Sequence, residues 1–236
     1  MSPPLVLPPA TLDPTTLRFA ARPRDHSEAA PGRIRLPHPG RCPHQPTHTI
    51  FLFDNSGSVC GGHDPIGRRF EEAAAAIERV GRACRCRAEL VSVLHFDTPT
   101  SRDVPAARLG GRGRAQIVNG LAVPADGAGS SEMGPSLERA YDLSDRHPKH
   151  LSVLVACTDF ELLDDDPIQT LEQFAGFPGL VHAVVLRAKP PQRLVDDERV
   201  TVTQIAHDAP SGAVASAVFE ALTATRHQPS PVVGFG

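Results

Sequence analysis

The chain has 236 residues, of which 40% are apolar and 22% charged, with 24 prolines and a net charge of −3 when the histidines are neutral. That length suits one well-buried domain with extensions and crowds out a second complete one. Its basic residues are scattered among acidic ones, which argues against a nucleic-acid partner, and no window approaches the roughly 20 apolar residues of a membrane span.

Residues 1–47 hold eleven of the prolines and no periodic apolar run, which predicts an extended arm. In it and just beyond it, His38, Cys42, His44 and His48 have the chemistry of zinc ligands. Their spacing matches no strong signature and prolines intervene, so the segment reads as a polar, proline-bent linker. The texture changes at residue 48, where a domain running to residue 225 is predicted, followed by a tail over 226–236. Thr49 to Phe53 is a continuous apolar run ending at Asp54, the pattern of a strand buried on both faces of a parallel sheet. Phe70, Ala74, Ile77, Gly81 and Cys84 recur at helical steps with Arg68, Arg69, Glu71, Glu72 and Glu78 between them, predicting an amphipathic helix. Leu90 to Phe96 is a second strand, ending at Asp97, which reads as a loop cap.

Between Arg102 and Leu109 a short edge strand is expected, and between Ala115 and Leu121 a small helical turn. The Gly-interleaved basic stretch from Arg108 to Arg114 reads as a solvated mobile loop. Leu137, Ala140 and Tyr141 mark a helix that stops before Pro148. Leu151 to Cys157 is a third buried strand ending at Thr158-Asp159, Ile168 to Phe174 a short helix, and Val181 to Leu186 a fourth core strand. Val200 to Ile205 makes a last strand, and Ala213, Ala217, Val218 and Leu222 the buried side of a closing helix. Alternation of strands and helices predicts an α/β fold with a doubly wound, mostly parallel sheet and helices on both faces.

In such sheets ligands bind where strands end in loops at the carboxyl edge. Asp54-Asn55-Ser56-Gly57-Ser58 offers a carboxylate and two hydroxyls at alternate positions, with Gly57 allowing the bend that turns them to one point. Asp159 ends another strand, and Ser131 precedes a helix. Oxygen donors with few carboxylates suit a small hard cation, magnesium or manganese. Five cysteines, odd in number and widely spaced, suit a reducing compartment, and a cytoplasmic protein is expected.

The three loops resemble a von Willebrand factor A-type domain carrying a metal-ion-dependent adhesion site. Its Asp-x-Ser-x-Ser motif is matched by Asp54, Ser56 and Ser58, its second-loop threonine by Ser131 within Gly129-Ser130-Ser131-Glu132-Met133-Gly134, and its third-loop aspartate by Asp159. The resemblance spans about residues 48–225. It implies a metal set of Asp54, Ser56, Ser58, Ser131 and Asp159, and a protein partner whose Asp or Glu completes the coordination. Two positions depart from the pattern. Ser131 lacks the threonine methyl that would fix its rotamer. Phe160 follows Asp159 where a small residue is usual, so its ring either crowds the ion or joins a binding rim. The expected function is a metal-dependent protein-binding module and not an enzyme. An alternative, implied by the resemblance to intracellular relatives of this domain, is an adaptor subunit for an AAA-type ATPase; the chain has no Gly-rich run followed by Lys-Ser or Lys-Thr, so the ATPase would be another protein. A metal-dependent phosphoester hydrolase using His63 and Asp64 is the less favoured third.

Overall fold

Thr47 to Phe53 forms β1, and every one of its seven residues is buried. Such a strand needs a neighbour on each side and a layer on each face, and the computed structural model, which describes residues 34–60 and 66–226, supplies all four. β1 pairs in parallel with β2 (Leu90–His95) and with β4 (Leu151–Thr158). β4 continues to β5 (Leu180–Leu186), and β5 to β6 (Val200–Ile205), again in parallel. The edge strand β3 (Val104–Arg108) runs antiparallel beside β2, completing the order β3-β2-β1-β4-β5-β6.

Side chains alternate across the sheet. Phe51 and Phe53 face one apolar cluster with Ile77, Val80 and Val218, while Ile50 and Leu52 face another with Leu137, Ala140 and Phe174. The first layer is built by α1 (Arg69–Ala83), α2 (Gly111–Gly120) and α6 (Ala213–Thr223), and the second by α3 (Gly134–Arg146), α4 (Pro167–Ala175) and the single turn α5 (Gln192–Val195). Burying each Phe or Leu side chain contributes roughly 1.5–3 kcal/mol. The sheet is therefore held mainly by its two apolar faces.

Three sequence expectations change. The stretch from Arg108 to Arg114 is the end of β3 and the first turn of α2, not a solvated loop. A Cβ on Gly113 would lie 2.3 Å from the Arg108 carbonyl oxygen, so glycine there permits a close strand–helix approach. Strand and helix do not strictly alternate, since β2 passes directly to β3 and α2 and α3 follow one another before β4. The buried side of α1 includes Arg69, Glu72, Ala73, Ala76, Ile77, Val80 and Gly81, so two charges that looked solvated lie inside.

Of the expected arm, residues 1–33 lie outside the described residues, as do 227–236 of the expected tail. Residues 34–46 lead into β1 along the first layer, with Leu36 packed against its core and the Pro37 carbonyl accepting from Arg79 at 3.0 Å. Leu151 donates its amide to the Pro46 carbonyl at 2.9 Å, which joins this segment to the start of β4.

Candidate functional site

The chain leaves β1 toward β2 on one side, and the next strand on the other side, β4, arrives only after α3. Strand order therefore reverses between β1 and β4, and the loops after these strands flank a crevice at the carboxyl edge. Asp54 leaves β1 there with its side chain fully buried. Its Oδ1 accepts from the Ser56 amide at 2.7 Å, and its Oδ2 from the Thr158 hydroxyl, also at 2.7 Å. The Ser56 and Ser58 hydroxyl oxygens stand 3.0 Å apart. Burial pushes the Asp54 carboxyl above its ordinary range, against the hydrogen bonds from Ser56 and Thr158, and the nearby Asp159 charge adds to the rise.

A buried guanidinium shapes the loop that carries these groups. Arg69, 1% exposed, donates to the carbonyls of Asp54 (3.1 Å) and Val59 (3.1 Å) and to Asn55 Oδ1 (3.2 Å). Asn55 in turn bonds the His95 ring at 2.9 Å, and the other ring nitrogen of His95 meets the Gly120 carbonyl at 3.1 Å. Sequence reasoning placed Arg69 on the polar side of α1. Only its position in the first turn of α1, below the Asp54 loop, distinguishes it from its neighbours.

The second loop is held by two carboxylates. Asp97 at the end of β2 accepts from the amides of Gly129 (3.0 Å) and Ser130 (2.9 Å), which gives the expected cap a defined object. A Cβ on Gly127 would stand 2.7 Å from Asp97 Oδ2, so the residue there has to be glycine for the carboxylate to reach those amides. Asp164, which the sequence did not single out, accepts from Met133 and Gly134 (3.0 and 2.7 Å) and so satisfies donors at the start of α3. Between these anchors lies half-buried Ser131, whose carbonyl accepts from Leu163 at 3.2 Å. Gly129 sits against the Asn55 carbonyl, at 3.6 Å from its would-be Cβ, so the second loop abuts the first.

Asp159 is 5% exposed and accepts from the Glu161 amide at 3.0 Å. Phe160 neither crowds the crevice nor lines a rim. Its φ of 60° turns the ring into the second core layer, where it packs edge-on against Phe174 with centroids 5.8 Å apart. Cys157 is buried core, its thiol pushed up to about 12 by desolvation. His63 and Asp64 lie outside the described residues.

Asp54, Ser56 and Ser58 thus lie together at the carboxyl edge, with Asp159 close enough for its charge to act on Asp54 and the Ser131 loop alongside. The chain has a von Willebrand factor A-like fold. Among solved structures it is similar to a von Willebrand factor type A protein from Catenulispora acidiphila, with 16% identity and a TM-score of 0.52, covering 77% of this chain and 43% of that one. It is also similar to proximal thread matrix protein 1 of the mussel byssus, with 13% identity and a TM-score of 0.53, covering 78% of this chain and 49% of that one. A third likeness is to the open conformation of the pilus adhesin SpaC from Lactobacillus rhamnosus GG, with 12% identity and a TM-score of 0.50 over 79% and 31% of the two chains. The chain spans less than half the length of each. Neither a protein-family model nor a curated protein matches the sequence. No described helix is long and apolar enough to cross a membrane.

Proposed function

We infer that this von Willebrand factor A-like chain is a divalent-cation-dependent protein-binding module. Ser56, Ser58 and Ser131 are its hydroxyl ligands, Asp54 and Asp159 the supporting carboxylates, and magnesium, or manganese, the ion. The observation that carries this reading is the 3.0 Å separation of the Ser56 and Ser58 hydroxyls beside the buried Asp54 carboxylate. Adjacent ligands of an octahedral ion with bonds of about 2.1 Å lie about 3.0 Å apart, so the two hydroxyls already have the spacing of neighbouring ligands. When bound, the ion supplies a positive charge and an open position suited to a partner's Asp or Glu.

The chain's own groups support recognition. Ser58 is exposed, so the hydroxyl pair opens to solvent on the side a partner would approach. Arg187, just after β5, donates to the Ser58 carbonyl at 2.9 Å and so holds the backbone of the hydroxyl-bearing loop in place. Asp54 and Asp159 spend oxygens on Ser56, Thr158 and Glu161, so they fix loops and are poorly placed to act as bases.

The test is calorimetric titration of magnesium into the wild type, Asp54→Ala and Ser131→Thr. Asp54→Ala should lose binding by at least about tenfold while keeping its circular dichroism spectrum, since it gives up two hydrogen bonds, from Ser56 and Thr158, at a cost of about 1–3 kcal/mol each, but no apolar contact of the sheet. Ser131→Thr should bind as well or better, because branching restricts the rotamer without adding charge. A partner captured in magnesium should dissociate in chelator. Equal partner affinity in both conditions would refute the metal bridge.

A further inference from the structure

At the opposite, amino-terminal edge of the sheet, three of the five cysteines come together from distant parts of the chain. Cys42 lies in the segment before β1, and Cys84 and Cys86 follow the last turn of α1. Glu89 immediately precedes β2. The Cys42 and Cys84 sulfurs are 3.9 Å apart, those of Cys84 and Cys86 3.5 Å, and Glu89 Oε2 lies 3.0 Å from the Cys84 sulfur and 3.8 Å from that of Cys86. One donor atom from each of the four residues lies within 4.8 Å of every other.

We propose that Cys42, Cys84, Cys86 and Glu89 hold a zinc ion that fastens the segment before β1 to the α1–β2 loop. Zinc–sulfur bonds of about 2.3 Å in a tetrahedron place neighbouring sulfurs about 3.8 Å apart, between the two separations observed. All four cluster atoms come from the protein, as in a closed structural site. The Cys42 sulfur accepts the amides of Arg85 and Cys86, each at 3.4 Å, an arrangement that stabilises a thiolate ligand. Glu89, 1% exposed, is oriented from behind: Thr47 donates to its Oε1 at 3.3 Å, and the buried Arg226 guanidinium pairs with Oε2. That pairing offsets part of the charge of three thiolates and a carboxylate around a divalent ion, and supports the ligand as outer partners do in zinc sites. A disulfide would leave one cysteine over and would not require a carboxylate in the cluster. His48 is turned elsewhere, to Ser92 at 2.8 Å, and His44 is exposed, so the cluster takes its other ligands from residues 84–89, which local spacing around Cys42 could not reveal.

The full chain, expressed with zinc and purified without chelator, should carry about one zinc per molecule by elemental analysis. Cobalt replacement should give thiolate-to-metal charge-transfer absorption in the near ultraviolet and intense visible bands of a tetrahedral ion. Cys86→Ser alters an exposed side chain and should fold, yet weaken zinc at least about tenfold in competition with a chromophoric chelator. His44→Ala should keep its zinc. The proposal is overturned if Cys86→Ser retains wild-type zinc affinity. It is equally overturned if the purified chain is metal-free and cannot be loaded, with its thiols alkylated at the same rate with and without zinc, or if intact mass shows a disulfide in their place. None of these readings depends on magnesium, so failure here leaves the carboxyl-edge site untouched.

Discussion

Phe160 shows what one backbone angle decides. A left-handed φ of 60° costs a non-glycine residue about 1–2 kcal/mol, a cost that glycine would avoid at this position. Here burial of the ring against Phe174 offsets that cost. His48 presents a different local conflict. It is fully buried on β1, bonded to Ser92, with the rings of His147 and His150 centred 4.9 and 6.5 Å away. Desolvation first, then those two histidines, pull its pKa from 6.5 to about 3. The folded state therefore refuses a proton that the unfolded chain accepts. The stability tied to neutral His48 is complete above about pH 6.5 and is lost as pH falls toward 3, at about 1.4 kcal/mol per pH unit. His48→Gln should flatten the stability curve between pH 6.5 and 5, narrowing its gap to wild type by about 2 kcal/mol across that interval in urea titrations. Parallel curves would show that another group takes up the proton.

At the scale of elements, the charged residues of α1 do more than solvate a surface. Glu72 is fully buried and reaches across to the start of α6, accepting from Gly212 at 2.8 Å, Val214 at 3.0 Å and Ala215 at 3.2 Å. One carboxylate thereby satisfies three donors at a helix start that has no side-chain cap of its own. Glu72→Gln would turn an amide N–H toward backbone N–H groups and should cost about 2–3 kcal/mol of unfolding free energy. Magnesium affinity should not change, because the cap lies between α1 and α6 and not in the carboxyl-edge loops. A loss of affinity equal to that of Asp54→Ala would show that α6 docking is transmitted to the crevice. Arg69, three residues earlier on the same helix, serves the crevice directly by donating to the Asp54 carbonyl and Asn55.

Across the whole molecule, the two candidate ion sites occupy opposite ends of the same strands. β1 carries Thr47, which orients Glu89, at one end, and delivers Asp54 at the other, with seven residue steps of about 3.3 Å, or about 23 Å, between. Oxygen donors gather at the carboxyl edge and sulfur donors at the amino edge, so ion chemistry separates them as well as distance. Asp54→Ala and Cys86→Ser should therefore change stability additively, within about 0.5 kcal/mol in a double-mutant cycle in the presence of both metals. A larger coupling would mean that the sheet transmits strain between its edges.

Much of this molecule is legible from the chain alone. The apolar runs ending at Asp54, Asp97 and Asp159 identify parallel strands and their carboxyl ends, because burial on both faces leaves no alternation and the run must stop where loops meet water. The Asp-x-Ser-x-Ser spacing likewise brings Ser56 and Ser58 to one side through local backbone geometry. Tertiary structure alone decides what lies far apart in sequence. Arg69 and Glu72 look like a solvated face until α6 and the Asp54 loop close over them, Thr158 is an ordinary strand end until it donates to Asp54 across the switch point, and Cys42 lacks ligands of suitable spacing until the end of α1 brings Cys84 and Cys86 beside it. Local patterns report which surfaces avoid water, whereas the partners of buried polar groups are set by how the layers close over one another.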